Sequence, residues 1–179
     1  MIFLSAENLE EGDIMEEFKF LKPRKMKHPS TGMELEYLDK PHAVCIALFN
    51  NKKDKVLLVE QYRPGAKGMM REVPAGLIDE GENPKEAVLR ELREETGYDK
   101  DDIIDFIELE EGLFVSPGYT AEKLFFFAAR LKNDTIIPKE LKLDHGEELE
   151  NEWVDVKDIL KKSNDIKTIL AVSFLGAKI

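Results

Sequence analysis

The stretch Arg90-Glu91-Leu92-Arg93-Glu94-Glu95-Thr96-Gly97-Tyr98 puts three glutamates where a helix holds them poorly. Glu91 stands three residues before Glu94 and four before Glu95, so on a helix the carboxylates face one another. Like charges at those spacings cost roughly 0.2–0.5 kcal/mol per pair. They also fall in the last turns, where the macrodipole favours cations. A cluster that is unfavourable on both counts suggests a missing counter-charge, and a divalent cation with oxygen ligands would supply it.

Working outward, the helix has clear ends. Asn83 is a good N-cap, Pro84 suits the first helical position, and Glu86 gives capping-box spacing. Gly97 is a natural C-terminal stop. Ala87, Val88, Leu89 and Leu92 form an apolar stripe from which the glutamates are expected to point away. Upstream, Val73-Pro74-Ala75-Gly76-Leu77-Ile78-Asp79-Glu80-Gly81-Glu82 reads as a strand end, a turn and a glycine-containing loop. Gly76 is expected to let backbone carbonyls approach an ion closely.

Gly76, Glu82, Arg90, Glu91, Glu94, Glu95 and Gly97, with Leu92 and Tyr98, match the signature box of the Nudix family at every defined position. Seven fixed residues would coincide by chance on the order of once in 10⁸ windows, given ordinary residue usage. The resemblance implies an α/β fold, a Nudix-type α/β/α sandwich with a mixed β-sheet. It also implies hydrolysis of a nucleoside diphosphate linked to another group. By the same resemblance Glu91 and Glu95 are the main metal ligands, assisted by Glu94, Glu82 and the carbonyl of Ala75. Mg²⁺ is the expected cofactor, with Mn²⁺ as a substitute. Arg90 is expected to orient the carboxylates through charge-assisted hydrogen bonds, the bland alternative being an exposed ion pair with Glu86 or Glu94.

The flanks carry a narrower resemblance. Val59-Glu60-Gln61-Tyr62-Arg63-Pro64-Gly65, Glu72 and Ser116-Pro117-Gly118-Tyr119 are similar to the ADP-ribose pyrophosphatase branch, as is Asp165-Ile166-Lys167-Thr168-Ile169-Leu170. The implied reaction yields AMP and ribose 5-phosphate from ADP-ribose. A pyrophosphatase for another nucleotide sugar, such as GDP-mannose, is the enzymatic alternative, and a non-catalytic ADP-ribose sensor is the third. Arg63 is read as a phosphate or ribose clamp or else a surface charge, Glu72 as its support or a metal contact. Ser116, Pro117 and Gly118 are read as a substrate-contacting segment or a plain turn. In this branch a glutamate of the loop Asp144-His145-Gly146-Glu147-Glu148-Leu149-Glu150 activates the water; Glu147 matches best and Glu148 next, with a merely solvated acidic loop as the alternative. Base stacking falls to Phe18, Phe20, Tyr37 or Tyr62.

The remaining 1–40 are expected to be N-terminal strands that form a homodimer contact, including a hairpin of 18–21 and 33–38, with 41–179 as the Nudix hydrolase domain. Strands are expected at 42–50, 54–62, 103–111, 121–131 and 151–155, and helices at 84–96, 157–162 and 164–175. At 179 residues one domain suffices. The net charge of −11 argues against nucleic acid and makes a counter-ion necessary for a diphosphate substrate. No apolar run suggests a membrane span and no leader pattern is evident, so a cytoplasmic protein is expected. Cys45, the sole cysteine, lies in an apolar run and reads as a buried strand residue. The three histidines lack ligand spacing and are not assigned to metal.

Overall fold

Ala43-Val44-Cys45-Ile46-Ala47-Leu48-Phe49 has no polar position, and strand β3 (Ala43–Phe49) is buried at every residue. Successive side chains of a strand point to opposite faces, so such a strand needs cover on both. Val44, Ile46 and Leu48 share a core cluster with Ala87, Val88 and Leu92 of helix α1 (Pro84–Thr96). Ala43, Cys45, Ala47 and Phe49 share the other cluster with Ile159, Ala171, Val172 and Leu175 from the C-terminal segment. Cys45 is buried, as expected, and burial pushes its thiol pKa upward. The three layers make an α/β/α sandwich. This computed structural model describes residues 21–143 and 148–179.

The remaining strands are β1 (Lys22–Lys27), β2 (Glu34–Asp39), β4 (Lys55–Arg63), β5 (Gly68–Glu72), β6 (Ala75–Leu77), β7 (Ile103–Glu108), β8 (Leu113–Phe114), β9 (Lys123–Leu131) and β10 (Glu150–Asp155). The main sheet runs β10-β4-β3-β9-β7, with β5 added to β4, β6 to β3 and β8 to β9. β3 and β9 are parallel and the other pairs antiparallel, so the sheet is mixed. A 3₁₀ turn (Val156–Asp158), helix α2 (Ile159–Lys162), helix α3 (Ile166–Leu170) and a π-helical turn (Ala171–Leu175) close the opposite layer.

Two strands were not expected from the sequence, β6 and β8, while β5 is the strand whose end was read at Val73. All three are short, and each exists because it pairs with a long strand elsewhere. The N-terminal hairpin is present, but its first described strand is Lys22–Lys27 rather than 18–21, of which 18–20 lie outside the described residues. β1 is exposed throughout and pairs with β2 through charge: Arg24 with Asp39, and Lys25 with Glu34 and Glu36. Apolar alternation could not reveal a strand of that kind. The expected helix 164–175 is divided into α3 and the π turn, preceded by extended Ser163.

Candidate active site

Helix α1 begins and ends where its local chemistry says it should. The Asn83 Oδ1 accepts hydrogen bonds from the N–H groups of Lys85 and Glu86 at 3.0 Å each, and the Asn83 N–H donates to Glu86 Oε2 at 3.2 Å. Loss of such a cap costs about 1 kcal/mol. At the other end Gly97 takes φ 77°, a left-handed conformation, and its N–H donates to the Arg93 carbonyl. A Cβ at Gly97 would also collide with the Lys139 backbone, so two requirements select glycine here.

The glutamates do not point away from the core as expected. Glu91 is 9% exposed and Glu95 4%. They lie on successive turns facing β6, and β6 is the reason. A Cβ at Gly76 would fall closer than 3.0 Å to the Glu91 carboxylate, so the absent side chain at 76 is what admits that group. Gly76 therefore serves the packing of a carboxylate, in addition to any close backbone approach. Glu95 Oε2 accepts the Ala75 N–H at 2.9 Å. Glu94 is more exposed, at 32% of its side chain.

Arg90 gathers the remaining acids. Its Nε donates to Glu82 Oε1 at 3.0 Å and its Nη2 to Glu82 Oε2 at 2.8 Å, a two-point fork. Nη1 donates to Glu91 Oε1 at 2.7 Å and to Glu94 Oε2 at 3.1 Å, while Nη2 also reaches the Leu77 carbonyl at 3.0 Å. Of the ion pairs read as the alternative role, with Glu86 or Glu94, the one with Glu94 is present, and Glu86 is occupied in the capping box. Hydrogen bonding from Arg90 holds the Glu82 carboxyl below the usual carboxylate range, and the same bonds hold the guanidinium well above its ordinary value.

Three carboxylates thus share one guanidinium, with a fourth one turn away on the Ala75 amide. The donors are hard oxygens, three on helix α1 and one on the connection before it, beside a glycine that makes room for the Glu91 carboxylate. That set fits a magnesium- or manganese-type cation. Among the described residues no three His, Cys, Asp or Glu side chains are already drawn together as a closed metal cage. Arg90 and the Ala75 amide occupy the carboxylates instead.

Arg63 and Glu72 meet beside this site. Glu72 is 3% exposed, and its Oε2 accepts from Arg63 Nε at 3.0 Å and Nη2 at 2.5 Å. Of the two readings of Glu72, support of Arg63 is the contact observed. Ser116, Pro117 and Gly118 form a turn closed by the Tyr119 and Thr120 N–H groups on the Ser116 carbonyl. The turn is tied to β2, because the Leu38 N–H donates to Tyr119 and the Ala121 N–H to Leu38. Tyr62 is 60% exposed, whereas Phe18 and Phe20 lie outside the described residues.

Glu147 also lies outside the described residues, and Glu148 is exposed. The chain on either side is pinned to the end of α1. The Lys142 N–H donates to the Glu94 carbonyl and Asn151 Nδ2 to the Glu95 carbonyl, each at 3.0 Å. Arg93 Nη1 donates to the Glu140 carbonyl at 2.9 Å. The bonds to the Glu94 and Glu95 carbonyls satisfy last-turn acceptors that a helix leaves without intrahelical partners. Asn151 was not singled out from sequence; a lone asparagine at a strand start carries no local signal of a long-range bond.

The chain is 30% identical to the ADP-ribose pyrophosphatase of Bacillus subtilis, over 80% of its own length and 76% of that protein. It is 31% identical to the methanol dehydrogenase activator of Bacillus methanolicus, over 78% and 75%. It is 35% identical to a GDP-mannose pyrophosphatase of Yersinia pestis, over 59% of this chain and 54% of that protein. The family model described as the NUDIX domain matches residues 39–171, which takes in β3, the arginine-linked carboxylates and the C-terminal layer as far as Ala171. The chain belongs to the NUDIX domain family.

Proposed function

We propose that this protein is a Mg²⁺-dependent Nudix pyrophosphohydrolase that cleaves the diphosphate bond of ADP-ribose to AMP and ribose 5-phosphate. The observation that carries the reading is the Arg90 fork, which holds Glu82, Glu91 and Glu94 beside the buried Glu95. Similarity to the B. subtilis ADP-ribose pyrophosphatase supports the substrate.

Glu82, Glu91, Glu94, Glu95 and the Ala75 carbonyl would hold Mg²⁺, or Mn²⁺ in its place, whose charge offsets the diphosphate and lowers the pKa of an attacking water. Arg90 keeps three carboxylates in position, so that little reorganisation is required when substrate arrives. Arg63, held by Glu72, grips a phosphate or the ribose. Ser116, Pro117 and Gly118 contact the substrate. Glu147, or Glu148 one residue on, accepts the proton as the water oxygen bonds to phosphorus and the bridging P–O bond breaks. Residues 1–40 form a dimer contact outside the catalytic domain of 41–179, a placement supported by a β1 that is exposed along its whole length. We place the enzyme in the cytoplasm, a reading that rests on the sequence; among the described residues no helix is long and apolar enough to cross a membrane.

The second reading is a pyrophosphatase for GDP-mannose, favoured by the 35% identity to the Yersinia enzyme. A panel of ADP-ribose, GDP-mannose, NADH and nucleoside triphosphates with Mg²⁺ separates the two. The highest kcat/KM is expected for ADP-ribose; preference for the guanine nucleotide sugar would replace the first reading by the second.

A further inference from the structure

Glu72 Oε2 accepts two N–H groups from one cation and makes an ion pair with a second. Besides Arg63 Nε and Nη2, Lys167 Nζ approaches it at 2.8 Å. Lys167 also pairs with Asp165 Oδ2 at 3.0 Å. The four side chains form a chain of alternating charge, Asp165–Lys167–Glu72–Arg63, graded in exposure. Glu72, Asp165 and Lys167 are 4%, 12% and 15% exposed at the side chain, while Arg63 at 37% is the member that opens to solvent. Arg63 uses Nε and Nη2 on Glu72, and among the described residues its Nη1 has no hydrogen-bond partner. A guanidinium held by one edge presents the other.

The chain's buried end is itself anchored. Asp165 Oδ2 accepts from the Thr168 N–H at 3.0 Å and from Thr168 Oγ1 at 2.7 Å, and Thr168 Oγ1 accepts the Val73 N–H at 2.8 Å. Ser163 Oγ donates to the Arg71 carbonyl at 2.5 Å. The C-terminal segment is thereby fastened along 71–73, immediately before the Ala75 amide that binds Glu95. A second, buried cation on Glu72 Oε2 fixes where that oxygen sits, and with it the angle of the guanidinium.

We propose that Lys167 is a positioning residue for anion recognition: it pins Glu72 so that Arg63 offers its outer edge to the diphosphate of the substrate. Both carboxylate contacts of Lys167 are made at its ammonium, so it acts through Glu72 and not by touching phosphate. The inference rests on the diphosphatase reading above.

The test is a double-mutant cycle on the full chain, with ADP-ribose and Mg²⁺, using K167M, R63A and the double variant. K167M is expected to raise KM about 10-fold while kcat stays within about threefold, the pattern of lost uniform binding. K167R should bring KM back to within about threefold of wild type, since it restores a cation but not the lysine's shape. With Arg63 already removed, K167M should add less than about threefold in KM, because the two residues act in series. An unchanged KM in K167M, a loss confined to kcat, or the same KM rise in both backgrounds would overturn the proposal. If K167M does not fold, K167Q is carried through the same cycle and judged by the same results. A wild-type protein that cleaves no nucleoside diphosphate sugar defeats the functional reading itself; wild-type turnover with an indifferent K167M defeats only the role of Lys167.

Discussion

At Gly76 a single hydrogen in place of a methyl lets the Glu91 carboxylate sit against β6. Gly76→Ala therefore sets a methyl group against a charged group that Arg90 and the helix both hold. The carboxylate can swing aside, so the fold should survive, with a stability loss of about 1–3 kcal/mol as for other overpacked sites. Catalysis should suffer more, because the displaced group is a metal ligand in the proposed mechanism; kcat is expected to fall at least ~10²-fold. Thermal melting and steady-state kinetics on the same preparation check this. A variant that melts early but turns over normally would show that Gly76 serves packing alone. The presence of glycine at 76 was legible in the sequence, but its partner was not: which side chain fills the space depends on how α1 lies across β6. The burial of Glu91 and Glu95 was hidden for the same reason. Acidic residues on a helix ordinarily face water, and only the approach of β6 reverses that.

At the scale of elements, α1 was readable to the residue because its signals are local. Asn83, Pro84, Glu86 and Gly97 act within one turn of themselves. β6 and β8 have no such signals, since their existence is decided by the strands they join. The segment after α1 is similar: Asp99 receives a hydrogen bond from Lys139 and another from the Asp101 N–H at 2.9 Å, fastening the chain beyond the helix to the strap at 139–142. Hydrogen bonding from Lys139 holds the Asp99 carboxyl below its ordinary value. A carboxylate with a lowered folded-state pKa contributes stability above its unfolded pKa, about 3.9, and loses it as the pH falls through the folded value. Asp99→Asn should thus lower the melting midpoint at pH 7, and the gap from wild type should close in acid below about pH 4. A gap independent of pH would mean that Asp99 acts by shape. The segment that follows the strap in sequence carries the proposed base. Glu147→Gln is expected to cut kcat by ~10²–10⁴-fold with substrate binding nearly intact, and Glu148→Gln to do much less. A large loss at Glu148 instead would move the role by one residue; no large loss at either would remove it from the loop.

For the whole molecule, the layered fold follows from β3, whose two apolar faces demand a layer on each side. The layering was expected from the family resemblance; the apolar run of β3, read in the sequence only as a buried strand, supplies its physical reason. The strand order, with β6 wedged beside β3 and the C-terminal segment fastened at 71–73, arises from pairings across long stretches of chain. Electrostatics act at this scale too. A chain of net charge −11 repels a free diphosphate, so binding is expected to weaken steeply when divalent cation is withdrawn. If residues 1–40 mediate assembly, sedimentation should give a species of two 20.5 kDa chains, and removal of 1–40 should leave one. A monomer from the intact chain would refute that arrangement. The most direct measurement is product analysis of ADP-ribose hydrolysis across a Mg²⁺ titration, with wild type beside Glu91→Gln and Glu95→Gln. The expected result is AMP and ribose 5-phosphate from wild type in proportion to bound metal, with kcat at least ~10²-fold lower in both variants, on the order of 3 kcal/mol of lost transition-state stabilisation. Turnover that persists without divalent cation, or near-normal rates in both variants, would contradict it.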